Sequence, residues 1–134
     1  MSTDGTTPLR EGTVRQGPAG PVLLASREEA TGAVAFPPTG RAGWTEVELG
    51  RTGELFTYTR VAMAAANFAP GYTVGYVRFT DPDGTPVLVF GQLRGSDTYR
   101  VGQPMTVDVQ DLWEREDGTP VRGHVFVPAE GERA

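Results

Sequence analysis

The residue best suited to acid–base chemistry in this sequence is its single histidine, His124. A histidine acting as a general base needs an orienting carboxylate and a nucleophile beside it. Alternation along its segment places His124 on one face with Arg122 and Phe126, away from the face of the valines. Nothing in that pattern supplies a nucleophile, so we expect a solvated or partly buried structural histidine.

Acidic residues occur in three groups that could bind a cation or transfer protons. The run Asp81-Pro82-Asp83-Gly84 begins like a calcium loop but lacks the remaining ligands and the closing glutamate. It is better explained as a hairpin turn. The pairs Glu28–Glu29 and Glu46/Glu48 are read as surface charge, and no phosphate-cradling glycine motif is present.

The composition excludes several classes of chemistry. The 134 residues contain no cysteine, which rules out disulfides, thiol nucleophiles and Cys-ligated metal centres. The formal net charge of -5 opposes binding to phosphate backbones, so no nucleic acid is expected as a partner. No apolar run reaches the ~18 residues of a membrane span. The first seven residues do not resemble a signal peptide, and a cytoplasmic location is expected.

The elements that position these residues are predicted to be strands. After an N-terminal arm over 1–20, which we expect to be flexible, residues 21–31 could form a short helix or an extended piece. Five segments rich in β-branched and aromatic residues then follow, bounded by turns: 54–61, 72–79, 86–93, 105–110 and 121–127. We predict an all-β protein with a five-stranded OB-type barrel over 49–128 and a short tail over 129–134.

Two apolar features suit contact with a partner. The long segment Ala62–Pro70 carries one large side chain, Phe68, which could meet a partner or ligand or fold back onto its own barrel. The rigid Phe36-Pro37-Pro38 segment lies near Trp44. It suits a docking surface and, equally well, a plug that caps the barrel.

The order of the segments resembles the acyl-CoA-associated OB-fold family, whose members pair a short rubredoxin-like zinc ribbon with an OB barrel. The family ribbon opens with Cys-x-x-Cys-Gly, three residues and Phe-Pro-Pro. Here Glu28 and Thr31 stand at the two cysteine positions, followed by Gly32 and Phe36-Pro37-Pro38. The resemblance covers residues 23–128, and its barrel portion is carried by 53–61, 71–79, 101–107 and 125–128.

This sequence departs from the family pattern at the positions that bind zinc. Glu28 and Thr31 are poor replacements for thiolates, and the stretch that would carry the second cysteine pair is shortened. The resemblance therefore implies a degenerate, metal-free ribbon over 21–48, with no zinc and no other cofactor.

The resemblance also implies a function. Members of the family look like non-catalytic accessory subunits of thiolase-like enzymes (thiolases, acyltransferases or retro-aldolases) acting on acyl-CoA thioesters, including enzymes of lipid and steroid side-chain metabolism. On this reading acyl-CoA lies near the interface, and the chain stabilises its partner and helps form the active site or CoA channel. The residues we assign to the partner interface are Phe36, Pro37, Pro38, Trp44, Phe68 and Tyr72.

Two cations, Arg78 and Arg94, are the candidates for CoA phosphates, with solvated surface arginine as the simpler alternative. The rival functions are a single-stranded nucleic-acid-binding OB domain and a stand-alone small-molecule carrier. The nucleic-acid rival would need stacking aromatics on the barrel face. Its candidates are Phe56, Tyr58, Tyr76, Phe79 and Phe90.

Overall fold

Ten strands make up the part of the chain that the computed structural model describes, residues 7–8, 13–62 and 71–129. Their bounds are β1 Thr7–Pro8, β2 Val14–Gly17, β3 Gly20–Glu28, β4 Val34–Ala35, β5 Trp44–Gly50, β6 Thr52–Val61, β7 Tyr72–Thr80, β8 Pro86–Leu93, β9 Pro104–Glu114 and β10 Pro120–Pro128. These residues contain no helix, and therefore none that could cross a bilayer. The all-β prediction is confirmed.

The last five strands close into a barrel. They are hydrogen-bonded in the order β10-β8-β7-β6-β9, and β9 pairs back with β10. β8 and β10 run parallel where Gln92–Leu93 meet Val125–Phe126, and the other pairs are antiparallel. The predicted OB-type barrel is therefore confirmed, with each predicted strand found within a few residues of its expected position.

Close packing inside the barrel depends on a glycine. A Cβ atom on Gly91 would lie 2.6 Å from Cε2 of Phe126 and 3.2 Å from Cδ2 of His124. The Phe126 ring is fully buried, and its centroid lies 5.8 Å from that of Phe79. The two rings fill the barrel interior at the level where Gly91 leaves room for them.

The N-terminal strands form a second, four-stranded sheet centred on β3. Strands β2, β4 and β5 all pair with it in antiparallel register. Leu23 and Ala25 belong to the main core, whereas Leu24 lies on the opposite face. Arg15 on β2 crosses that opposite face to form ion pairs with Glu46 and Glu48 on β5.

This sheet corrects one expectation and decides between two alternatives in another. Residues 14–17 belong to a hairpin with β3 rather than to a flexible arm. Residues 20–28 form a strand, which is the extended one of the two alternatives expected for this segment. The physical reason is the continuous run Val22–Ser26, which is buried on both faces, as an extended strand between two covering layers permits. A strand that is buried on both faces does not alternate between apolar and polar residues, so that pattern cannot identify it.

The sheet and the barrel share one hydrophobic core. Leu23, Ala25 and Leu49 pack in the same cluster as the barrel residues Leu55 and Val107. The packing is thus continuous across the predicted boundary at 48/49.

A buried carboxylate ties the sheet to the barrel. The Asp81 side chain is fully buried in the β7–β8 turn, where its Oδ1 accepts hydrogen bonds from the backbone N–H groups of Asp83 (3.0 Å) and Thr85 (2.8 Å). Arg27 of β3 reaches both Asp81, at 3.4 Å, and Asp83. The Asp81–Gly84 run is therefore a hairpin turn, as predicted, and it also docks the N-terminal sheet.

Candidate functional site

Within the described part of the chain, His124 contacts a backbone carbonyl and two aromatic rings. Its Nε2 atom lies 2.8 Å from the backbone oxygen of Phe90, and its ring centroid is 5.7 Å from that of Phe36 and 5.5 Å from that of Phe126. It shares the Phe126 face, as the alternation predicted. Phe126 belongs to the main core of the barrel, and Val121 and Val125 on the other face are buried as well. His124 is a partly buried structural residue at the junction of the sheet and the barrel.

Burial gives His124 a testable pH dependence. Desolvation lowers its pKa below the ordinary 6.5, and the hydrogen bond to the Phe90 carbonyl only partly offsets this. As the pH falls below about 6.5, the unfolded chain binds a proton at this residue before the folded protein does. We expect the free energy of unfolding to decrease over that range by at most about 1.4 kcal/mol per pH unit.

Urea unfolding of the protein and of His124→Gln, at about pH 7.5 and about pH 5.5, checks this expectation. The glutamine can still donate to the Phe90 carbonyl but does not titrate. The decrease should be smaller in the variant. An equal decrease in both proteins would show that other groups cause it.

The predicted interface residues are only partly at the surface. Phe36 is half-buried, packs against the core and meets the His124 ring edge-on. Of the two interpretations of this segment, the structure favours the plug. Pro38 is half-buried and Pro37 is exposed. The segment is fixed by Ser26, whose hydroxyl donates to the Thr39 carbonyl (3.1 Å) and accepts from the Thr39 amide (2.8 Å).

The other members of the predicted interface are less informative. Trp44 is half-buried at the start of β5, and Tyr72 is half-buried at the start of β7. Phe68 lies outside the described residues, as does most of the Ala62–Pro70 segment. Of the five predicted interface residues that the structure describes, Pro37 is exposed and the other four are half-buried.

The two arginines predicted to bind CoA phosphates differ in their exposure and in the partners that their guanidinium groups already have. Arg94 donates through Nε and Nη2 to Gln92 Oε1 (3.1 and 2.7 Å), and through Nη1 to Gln110 Oε1 and the Asp111 carbonyl (both 3.0 Å). These bonds leave it little capacity for a phosphate. Arg78 is more exposed, but it is ion-paired with Glu54 and lies over the Phe56 ring, 5.9 Å from its centroid.

Exposed large apolar side chains lie together on the outside of β6, β7 and β8. We call Phe56, Tyr76, Leu88 and Phe90 the aromatic face; each is between 41% and 52% exposed. Tyr76 is the register partner of Phe90, and their ring centroids are 5.3 Å apart. Phe56 reaches this surface at an irregularity between Leu55 and Thr57. A contiguous apolar surface of this kind is typical of a protein interface.

Sequence reasoning named most of these aromatics only as stacking residues for a nucleic acid. One of that set, Phe79, is buried in the core, so its assignment was wrong. Tyr58, another, packs against Tyr99 at 5.9 Å between ring centroids. Buried and exposed positions alternate along β7 and β8. This alternation places the side chains of the aromatic face on these two strands on the outside of the barrel.

The described residues contain no group of three or more histidines, cysteines, aspartates or glutamates placed to hold a metal ion. Thr31 donates to Glu28 (2.7 Å) and accepts from the Ala33 amide (3.2 Å), while Thr45 donates to Glu29 (2.5 Å). The side chains at the two positions where the resemblance places cysteines therefore bond to each other.

Comparison with known proteins gives a consistent result. Residues 46–110 match the family described as ChsH2, C-terminal OB-fold domain. A solved structure described as "Ltp2-ChsH2(DUF35) aldolase" superposes with a TM-score of 0.54 and 23% sequence identity, covering 80% of this chain and 84% of that one. At this identity the likeness concerns the fold. No curated protein matches the chain.

Proposed function

Because residues 46–110 match the ChsH2 C-terminal OB-fold family, we propose that this chain is a non-catalytic accessory subunit of a thiolase-like enzyme acting on acyl-CoA thioesters. The partner is a thiolase, acyltransferase or retro-aldolase. The chain stabilises it and helps to form its active site or CoA channel, in lipid or steroid side-chain metabolism in the cytoplasm.

The observation that carries this proposal is the aromatic face. Phe56, Tyr76, Leu88 and Phe90 form an exposed apolar surface on a chain whose single histidine serves packing. Large aromatic side chains are the usual anchors of protein interfaces. The similar solved structure is described as an aldolase with two named components, which supports an enzyme as the partner.

The test of the proposal is complex formation. The chain is mixed with a thiolase-like enzyme of the same organism, and the mass of the product is measured by size-exclusion chromatography with light scattering. We expect a hetero-oligomer of fixed stoichiometry. Separate elution of the two proteins at concentrations well above those in the cell would contradict the proposal.

The accessory subunit is further proposed to work without zinc. Its N-terminal sheet shares a core with the barrel and contacts it through Arg27 and Asp81, which supports folding without a metal. We expect the thermal unfolding midpoint to be unchanged by a chelator, and native mass spectrometry to show the apo mass. Stoichiometric zinc in the purified protein, lost together with stability on chelation, would contradict this.

A nucleic-acid-binding OB domain is the second candidate, because Tyr76 and Phe90 are exposed on the sheet face that such domains use. The electrostatics oppose it: the net charge is -5, and Arg78 beside these rings is paired with Glu54. We expect no binding of a single-stranded oligonucleotide even at low salt, where such binding is strongest. A salt-dependent mobility shift would favour this rival.

The small-molecule carrier is less well supported. Such a protein needs an enclosed apolar cavity. Here the barrel interior is filled by core side chains, including the Phe79 and Phe126 rings.

A further inference from the structure

Strand β6 continues well beyond Leu55, its last residue in the main core. From Thr57 to Arg60 every residue is exposed, although the side chains of a strand alternate between its two faces. Both faces of this stretch therefore lie at the surface. On one side, residues Thr57–Val61 pair in antiparallel register with β7.

The edge of β6 that faces away from β7 is paired only in its first part. Thr52–Glu54 pair with β9. Leu55 then donates its amide to the Gln103 carbonyl (2.9 Å) and accepts from the Gly102 amide (2.8 Å). Along 57–61, no strand within residues 7–8, 13–62 and 71–129 lies beside this edge. This part of β6 is therefore an open strand edge.

The backbone groups on the open edge belong to Tyr58 and Arg60. In an antiparallel strand the N–H and C=O groups of one residue point to the same side, and consecutive residues alternate. The Val61 carbonyl points towards β7, because it accepts from the Gly71 amide at 2.8 Å. Alternation then directs the backbone groups of Arg60 and Tyr58 away from β7. Neither residue has a backbone partner on that side among the described residues, so each presents a free donor and a free acceptor.

The edges of the N-terminal sheet differ from this one. Strands β2 and β4 are only four and two residues long, and the exposed residues of β5 include Glu46 and Glu48. Short length and charged side chains are the usual means by which natural proteins keep edge strands from pairing. The stretch Thr57–Val61 contains no proline or glycine, and Arg60 is its one charged residue among β-branched and aromatic residues. An open edge of this composition is suited to pairing with another strand.

We propose that two copies of the chain pair along this edge, in antiparallel register about a twofold axis at Thr59. This register places Tyr58 of each copy opposite Arg60 of the other. Each such pair exchanges two backbone hydrogen bonds, so the free groups of both residues are satisfied. The pairing also brings each guanidinium beside a tyrosine ring.

The neighbouring registers are less complementary. An axis at Arg60 would set two like charges directly opposite each other. An axis at Tyr58 would set Arg60 opposite Phe56, where the strand is irregular. The register about Thr59 avoids both faults and uses the free groups of Tyr58 and Arg60 on both copies, which favours a second copy over an unrelated strand.

The contact uses the same edge on both copies, so it closes at a dimer. It involves Thr57–Val61 of each chain, which is few beside the about 20–30 residues a side of a standard interface. We therefore expect a dimer that forms reversibly with concentration. The inference is independent of the proposed function, because it concerns the chain without its enzyme partner.

Sedimentation velocity of the full chain from about 5 to about 500 µM tests the proposal, since self-association follows mass action. We expect the average mass to rise from that of a monomer towards that of a dimer and no further. Arg60→Pro removes an N–H group that the pairing with β7 does not use, and it should abolish the dimer. Arg60→Ala keeps this N–H group and is the matched control. It should weaken the dimer by about fivefold or less, the loss of one exposed cation–π contact.

Cross-linking locates the axis without altering the backbone of the edge. The chain contains no cysteine, so Thr59→Cys introduces the only thiol. Directly opposed residues of a pair without backbone hydrogen bonds lie close enough for a disulfide. Under mild oxidation we expect Thr59→Cys to form a covalent dimer. The control Thr80→Cys, at an exposed position of β7, should remain monomeric.

Three results would overturn the proposal: a monomer over the whole concentration range, a dimer that persists in folded Arg60→Pro, or equal cross-linking of the two cysteine variants. Circular dichroism and the unfolding midpoint show whether Arg60→Pro is folded, and the cysteine variants decide the question if it is not. A dimer that is lost in Tyr76→Ala/Phe90→Ala but kept in Arg60→Pro would place the contact on the aromatic face and equally contradict the proposal.

The outcome is separable from that of the proposed function. A chain that stays monomeric alone but forms the complex with the enzyme would refute the dimer and leave the proposed function standing. A chain that dimerises through β6 but binds no enzyme would refute only the proposed function.

Discussion

Replacing Tyr76 and Phe90 together with alanine is expected to weaken binding to the thiolase-like partner by about 100-fold or more. The two rings lie at register-paired positions on β7 and β8 and are 41% and 52% exposed in the free chain. Buried aromatic anchors of an interface commonly contribute about 2 kcal/mol or more each, and neighbouring anchors are not additive. The dissociation constant is measured by biolayer interferometry with the partner immobilised.

The matched control is Val101→Ala. Val101 is an even more exposed apolar residue, at 60%, but it lies outside the aromatic face. Its replacement should leave the dissociation constant unchanged. The double variant should lose only about 1 kcal/mol of folding stability, the value of a cross-strand aromatic pair. Unaltered affinity in a folded Tyr76→Ala/Phe90→Ala protein would show that the partner binds elsewhere.

Removing the buried carboxylate should have the largest effect on folding. We expect Asp81→Ala to reduce the free energy of unfolding by about 2–4 kcal/mol. The change leaves the amides of Asp83 and Thr85 without their acceptor and leaves Arg27 with only the exposed Asp83 as a partner. Urea unfolding followed by tryptophan fluorescence measures the loss.

Asp83→Ala is the control for this experiment. Asp83 also contacts Arg27, but its side chain is largely exposed, so its removal should cost less than about 1 kcal/mol. Similar losses in the two variants would mean that the contact with Arg27, rather than the buried turn, sets the stability of this junction.

The barrel was predictable because its strands alternate and end at turns. Along β7, for example, Val77 and Phe79 are buried while Tyr76 and Arg78 are exposed. Strand β3 was ambiguous because Val22–Ser26 is buried on both faces and shows no alternation. Strand β2 was missed because it is short, carries one large apolar residue, Val14, and pairs only with β3.

The candidate sites were harder to predict, because they depend on contacts between distant segments. Nothing near Arg94 in sequence indicates that Gln110 and the Asp111 carbonyl accept its hydrogen bonds. Phe36 suited a surface or a plug equally well until its contact with His124 was known. The separation of Tyr58 from the aromatic face follows from its packing on Tyr99, 41 residues away.

The most direct test of the central claim is a turnover measurement with acyl-CoA in three samples: the chain alone, the thiolase-like enzyme alone, and the enzyme with increasing amounts of the chain. The account predicts no turnover by the chain alone and a saturable increase in the enzyme's activity, complete at the stoichiometry of the complex. Turnover by the isolated chain, or an enzyme rate that does not change when the chain is added, would contradict it.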